Sequence, residues 1–171
     1  MRSLRILAVV LLVVAFLITT MLILGGLLPQ AHTVTADIVV PAPQAVVWQR
    51  IADVASQPTW RTGLSAVQPL APQDGHPCWL EIQKYGKMPL CEKLSAPQST
   101  RVVAIADPKL PFGGLWTYQL TAVDANSTRL SITENGTVGP WLWRFMDHYL
   151  YHEDTSIKQY EADLVKSVGK E

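Results

Sequence analysis

The sequence carries no surplus of either charge: Lys and Arg total 14, Asp and Glu total 14, and the formal net charge is +0. With no basic stripe or patch, nucleic acid is not a partner that the composition supports. Cysteine is scarce, with 2 in the chain, and no histidine is placed by sequence to activate either as a nucleophile. Several catalytic signatures are missing too. There is no G-x-S-x-G elbow for a Ser-His-Asp site, no H-E-x-x-H, and no GKS or GKT after a glycine loop. Gly113-Gly114 leads into a strand pattern and not a helix, so it lacks the setting of a phosphate loop. A bulge or tight bend at a strand start is the simpler reading.

Charge is also absent from Ile6 to Leu28. That apolar run of about 23 residues would be roughly 34 Å long as a helix, enough for a bilayer core. Arg2 and Arg5 precede it, and no Lys or Arg follows before Arg50. The positive-inside rule then predicts a signal-anchor at 6–28, residues 1–5 in the cytoplasm and the remainder outside. A cleaved signal peptide is the competing reading. Its apolar region is normally shorter, and Val34-Thr35-Ala36 is a poor cleavage site inside a predicted strand. No Cys follows the helix, which excludes a lipoprotein. A linker at 29–32 would hold a domain of residues 33–171 close to the membrane.

Val34–Val40 alternates as a strand, and Pro41-Ala42-Pro43 stops it. Val46, Val47, Ile51 and Val54 repeat at helical spacing, and Asp53–Trp60 reads as a break and a short second helix. Six strands follow: 66–70, 78–84, 90–95, 101–106, 114–124 and 129–138. Turn residues separate most of them, which implies an antiparallel meander. Gly139-Pro140 opens a predicted long helix from Trp141 to about Val168. Leu142, Phe145, Met146, Tyr149, Glu153, Ile157, Tyr160 and Leu164 form its apolar stripe. The class is therefore α+β: a curved sheet of about seven strands against one long C-terminal helix. The gap between a curved sheet and a straight helix is a natural apolar pocket.

Particular segments strengthen this order. "VPAPQAVVWQRIADVASQPTWR", "ADPKLPFGGLWTYQL", "TRLSITENGTV" and "IKQYEADLVKSVG" resemble the helix-grip fold of the START and polyketide-cyclase superfamily, SRPBCC, in a membrane-anchored branch with no assigned activity. The resemblance covers residues 33–168. It implies a fold, while the superfamily spans lipid carriers, receptors, cyclases and oxygenase subunits.

Trp116, Tyr118, Leu120 and Ala122 share one strand face, which is the inner one. Core packing and the wall of a ligand cavity both suit them. Leu130, Ile132 and Val138 mark the inner face of the next strand, and Glu134 falls on it by period two. A carboxylate there would anchor a ligand or act as acid or base, unless Asn135-Gly136 forms a bulge that turns it outward or a structural partner satisfies it. Trp116, Tyr118, Phe145 and Tyr149 are expected as apolar walls, with Glu134 as the polar anchor. Trp141 and Trp143 suit either the core or a headgroup-level belt. His148 and His152 share a helical face, but without a third ligand no metal is expected. Cys78 and Cys91 are disulfide candidates if register brings them opposite each other. No cofactor is implied and no protein partner is identified.

The leading expectation is thus a membrane-anchored, outward-facing domain that binds a hydrophobic small molecule or lipid. The alternatives are a cyclase- or dehydratase-like enzyme using Glu134, and a non-catalytic interaction module of the cell envelope.

Overall fold

The computed structural model describes residues 2–84, 86–151 and 155–169. Helix α1 (Arg2–Leu27) follows from the uninterrupted apolar run, and it is long and apolar enough to cross a bilayer. Pro29 lacks the N–H that would continue it. Strand β1 (Ala31–Val40) begins earlier than the expected Val34, because His32 and Thr33 find partners on a neighbouring strand, Gly136 and Asn135. Helix α2 (Gln44–Ala52) starts just after Pro43, and the expected second helix is a single 3-10 turn at Gln57–Thr59.

The six further strands are β2 (Leu64–Gln73), β3 (His76–Gln83), β4 (Gly86–Ala96), β5 (Thr100–Ile105), β6 (Phe112–Asp124) and β7 (Ser127–Val138). They form one antiparallel seven-stranded sheet in the order β1-β7-β6-β5-β4-β3-β2. The β2–β3 turn holds Asp74 and Gly75 at φ 51° and 79°, the left-handed pair that a two-residue hairpin turn requires. Cys78 and Cys91 stand directly opposite each other and form a disulfide with Cα atoms 4.1 Å apart.

Neither Gly113-Gly114 nor Asn135-Gly136 makes a bulge. Gly113 and Gly114 lie inside β6, in unbroken register with Thr137 and Gly136. Asn135 and Gly136 likewise continue β7, paired on both sides. Glu134 therefore keeps the inward face that alternation assigns to it.

The expected single helix over 141–168 is interrupted. It consists of α3 (Trp141–Met146), a π turn at Asp147–Tyr151, and α4 (Thr155–Val168). His152 and Glu153 lie outside the described residues. A π turn is wound more widely than an α-helix, so the 3.6-residue stripe cannot be carried through it. α4 alone reaches the main core, where Ile157 and Leu164 join Val40, Val47, Ile51, Leu120, Leu130 and Ile132. Asp163 of α4 is buried and accepts bonds from the Thr62 N–H at 2.7 Å and the Thr62 hydroxyl at 3.0 Å. α3 instead packs on α1 and touches the sheet at β7. The link between α1 and β1 has no slack, since the Val138 N–H donates to the Gln30 carbonyl at 2.7 Å.

Candidate functional site

Trp79, Leu90 and Val103 form a second, smaller core, and Trp116 and Tyr118 pack against both cores. The sheet and α4 do not close between them. Two cavities lie there, of about 460 and 480 Å³, and Met88, Trp116 and Ser156 line both. Trp116 thus divides an outer lobe near the start of β6 from an inner lobe beneath α4.

The outer lobe is walled by Ile105, Phe112, Val138 and Trp143, with His32 and Glu134 as its polar side. Trp116 and Glu134 are register partners on β6 and β7. The indole Nε1–H donates to Glu134 Oε2 at 2.9 Å. The other oxygen, Oε1, lies 3.6 Å from His32 Nε2. His32 comes from β1, on the opposite side of β7. Its ring occupies the space a Cβ would take at Gly136, which would meet the imidazole at 2.3 Å. Glycine is needed at 136 for close approach. One carboxylate is thereby held between an indole donor and an imidazole, on the wall of a mostly apolar lobe that is open on one side. That pair can anchor a hydroxyl or carbonyl of a ligand, or pass a proton.

The inner lobe has a polar floor. Arg61 makes a two-pronged pair with Glu81, Nη1 to Oε1 at 2.6 Å and Nη2 to Oε2 at 3.2 Å. Gln57 Oε1 accepts from Arg61 at 2.6 Å, and Gln83 Nε2 donates to Glu81 at 2.8 Å. Burial works against the Arg61 charge, but the neighbouring Glu81 carboxylate more than offsets it and raises the guanidinium pKa. Arg101 is also buried, donating from Nε to Glu92 at 2.8 Å and from Nη1 to the Ile51 carbonyl at 2.6 Å. These charges are internally matched. Arg61 also lies over the Tyr160 ring, 5.3 Å from its centroid. Burial pushes the Tyr118 phenol up to about 12 and raises Tyr160 as well. Both therefore remain neutral phenols at physiological pH.

Of the expected site residues, Trp116 lines both lobes, Glu134 the outer and Tyr118 the inner. Phe145 and Tyr149 line neither. Their rings pack on each other at 4.9 Å, and Tyr149 is exposed. Phe145 precedes the π turn and lies in α3, which packs on α1, so it faces the Gly25 region of α1 and not the cavities. His32, Arg61 and Glu81 were not anticipated. Glu81 was within reach of sequence reasoning: Trp79, Glu81 and Gln83 alternate on one face of β3. His32 was not, because it lies outside the strand predicted from alternation. Among the described residues no three His, Cys, Asp or Glu side chains are grouped to hold a metal ion.

Solved structures with this architecture include a START superfamily protein from Mycobacterium smegmatis, 14% identical with a TM-score of 0.66. That match covers 81% of this chain and 98% of the other. The Zhui aromatase/cyclase from Streptomyces sp. R1128 is 14% identical, with a TM-score of 0.62 over 82% of this chain and 94% of that one. Norcoclaurine synthase from Thalictrum flavum is 11% identical, with a TM-score of 0.64 over 82% and 88%. At such identities the likeness shows the helix-grip fold alone. No curated protein matches the sequence. The family profile described as polyketide cyclase/dehydrase and lipid transport matches residues 31–150. That span is most of the chain and contains His32, Arg61, Glu81, Trp116, Tyr118 and Glu134, so the protein belongs to this family, within the START/SRPBCC superfamily.

Proposed function

We propose that this protein holds a hydrophobic small molecule or lipid between its sheet and α4, and that α1 anchors it in a membrane with the domain outside. One observation carries the binding reading: an apolar lobe of about 460 Å³ whose polar side includes the paired His32 and Glu134. Small-molecule sites have this character, mostly apolar with a few placed polar groups. The anchoring reading rests on α1 and on the charge asymmetry around it. Native mass spectrometry of the full chain, extracted in mild detergent, tests the binding reading. A hydrophobic molecule should copurify, and Met88→Trp, which fills space between the lobes, should lower its occupancy about tenfold. A wild-type protein that is consistently empty would overturn it.

A second reading is favoured by the Glu134–His32 contact: cyclase- or dehydratase-like proton transfer with Glu134 as acid or base. Glu134→Gln separates the two. A carried ligand has the same mass and chromatographic retention on both proteins, whereas a substrate awaiting turnover accumulates on the variant, heavier by one water for a dehydration and of equal mass but different retention for a ring closure.

A further inference from the structure

We propose that α3 and the π turn, together with Phe112, form a bilayer-docking face that sets the mouth of the outer lobe against the lipid headgroups. The ligand then enters from the membrane. This rests on the reading of α1 as a membrane anchor and adds where the cavity opens relative to it.

The fold ties α3 to the end of α1. A Cβ at Gly25 would lie 2.2 Å from the Trp141 carbonyl oxygen, so glycine permits the close contact. Arg144 Nε donates to the Gly25 carbonyl at 2.9 Å, and its Nη1 donates to the Gly139 carbonyl at 2.6 Å. A cation at the helix C-terminus satisfies a carbonyl left without an intrahelical partner. α3 is thus held at the level where α1 would leave the hydrocarbon. The free surface of α3 and the π turn is mostly apolar: Leu142, Trp143, Tyr149 and Leu150 are exposed, Trp143 by 56% and Leu150 by 61%, with His148 the exposed polar side chain beside them. Trp and Tyr beside aliphatic residues suit the headgroup boundary. The patch continues directly from α1, which identifies a bilayer as its occupant. Trp143 and Phe112 also line the outer lobe, so the docking face and the cavity mouth coincide. The Asn126 turn lies at the far end of β7, a strand of 12 residues, about 36 Å away.

Both native cysteines are in the disulfide, so an introduced cysteine is the only free thiol. Leu12→Cys, Leu142→Cys, Leu150→Cys and Asn126→Cys would each be labelled with an environment-sensitive fluorophore. The full chain is then reconstituted into phosphatidylcholine/phosphatidylglycerol vesicles carrying doxyl lipids. Labels at 142 and 150 should be quenched about threefold more strongly by doxyl groups near the headgroup than by those at the chain end, and the label at 12 by the reverse. The label at 126 should respond to neither. Quenching at 12 with silence at 142 and 150 would overturn the docking face while leaving the anchor intact. Silence at 12 would overturn the anchor and this inference with it.

Discussion

The imidazole of His32 lies against Gly136, where an added Cβ would meet the ring at 2.3 Å. The two residues face each other across β1 and β7, and the contact directs Nε2 toward Glu134. Gly136→Ala should therefore displace His32 and cost about 1–3 kcal/mol, as overpacking does. Combining it with His32→Ala removes the clash, so the double variant should be more stable than additivity predicts. Chemical denaturation of the four proteins measures this.

Arg61 and Glu81 form a partly buried pair, with the Glu81 side chain 3% exposed and that of Arg61 21%. Arg61→Met leaves that carboxylate without its cation and should cost about 3 kcal/mol. Arg61→Met with Glu81→Met should recover most of the loss. Equal destabilisation by the single and double variants would show that packing, and not charge, governs the site.

The disulfide closes a short loop, with a sequence separation of 13 between Cys78 and Cys91. Reduction should lower the unfolding free energy by about 2–3 kcal/mol. The same denaturation curve, recorded with and without reductant, gives the value. Cys78→Ala with Cys91→Ala should match the reduced protein and be insensitive to reductant.

Glu161 is buried on α4, and one of its oxygens, Oε1, has no hydrogen-bond partner. Burial, and then the nearby Asp37 charge, raises its pKa above 4.5. A raised carboxyl favours the protonated folded state. Its stability contribution is full below about pH 4.5 and is lost as pH rises through the folded value. Glu161→Gln should melt higher than wild type at neutral pH, on the order of 2 °C, with the gap closing near pH 4. Thermal melts across that range check both the sign and the window.

Alternation and turn residues made the sheet readable: strand count, antiparallel pairing and the inward direction of Trp116, Tyr118 and Glu134 all follow from period two. The helix after Gly139 was less legible. Its apolar stripe has the right composition, but nothing in a 3.6-residue pattern announces that α3 packs on α1 or that a π turn follows, so Phe145 and Tyr149 were expected on walls that they do not line. The polar floor was missed because Arg61 and Glu81 come from a loop and a strand that are 20 residues apart, beyond the reach of any local periodicity. Only the fold brings them together. His32 was hidden for a related reason, since pairing with β7 extends β1 beyond what its own residues dictate.

The short connection from α1 into β1 limits what kind of device this is. Only Leu28, Pro29 and Gln30 intervene between Leu27 and Ala31, a reach of about 10 Å even when extended, and Gln30 is itself bonded to β7. With α1 embedded as proposed, a cavity leashed this tightly could not ferry cargo across an aqueous compartment; it would be a fixed port, and delivery to a second membrane would require an acceptor to come to it, making the transfer rate proportional to that acceptor's concentration.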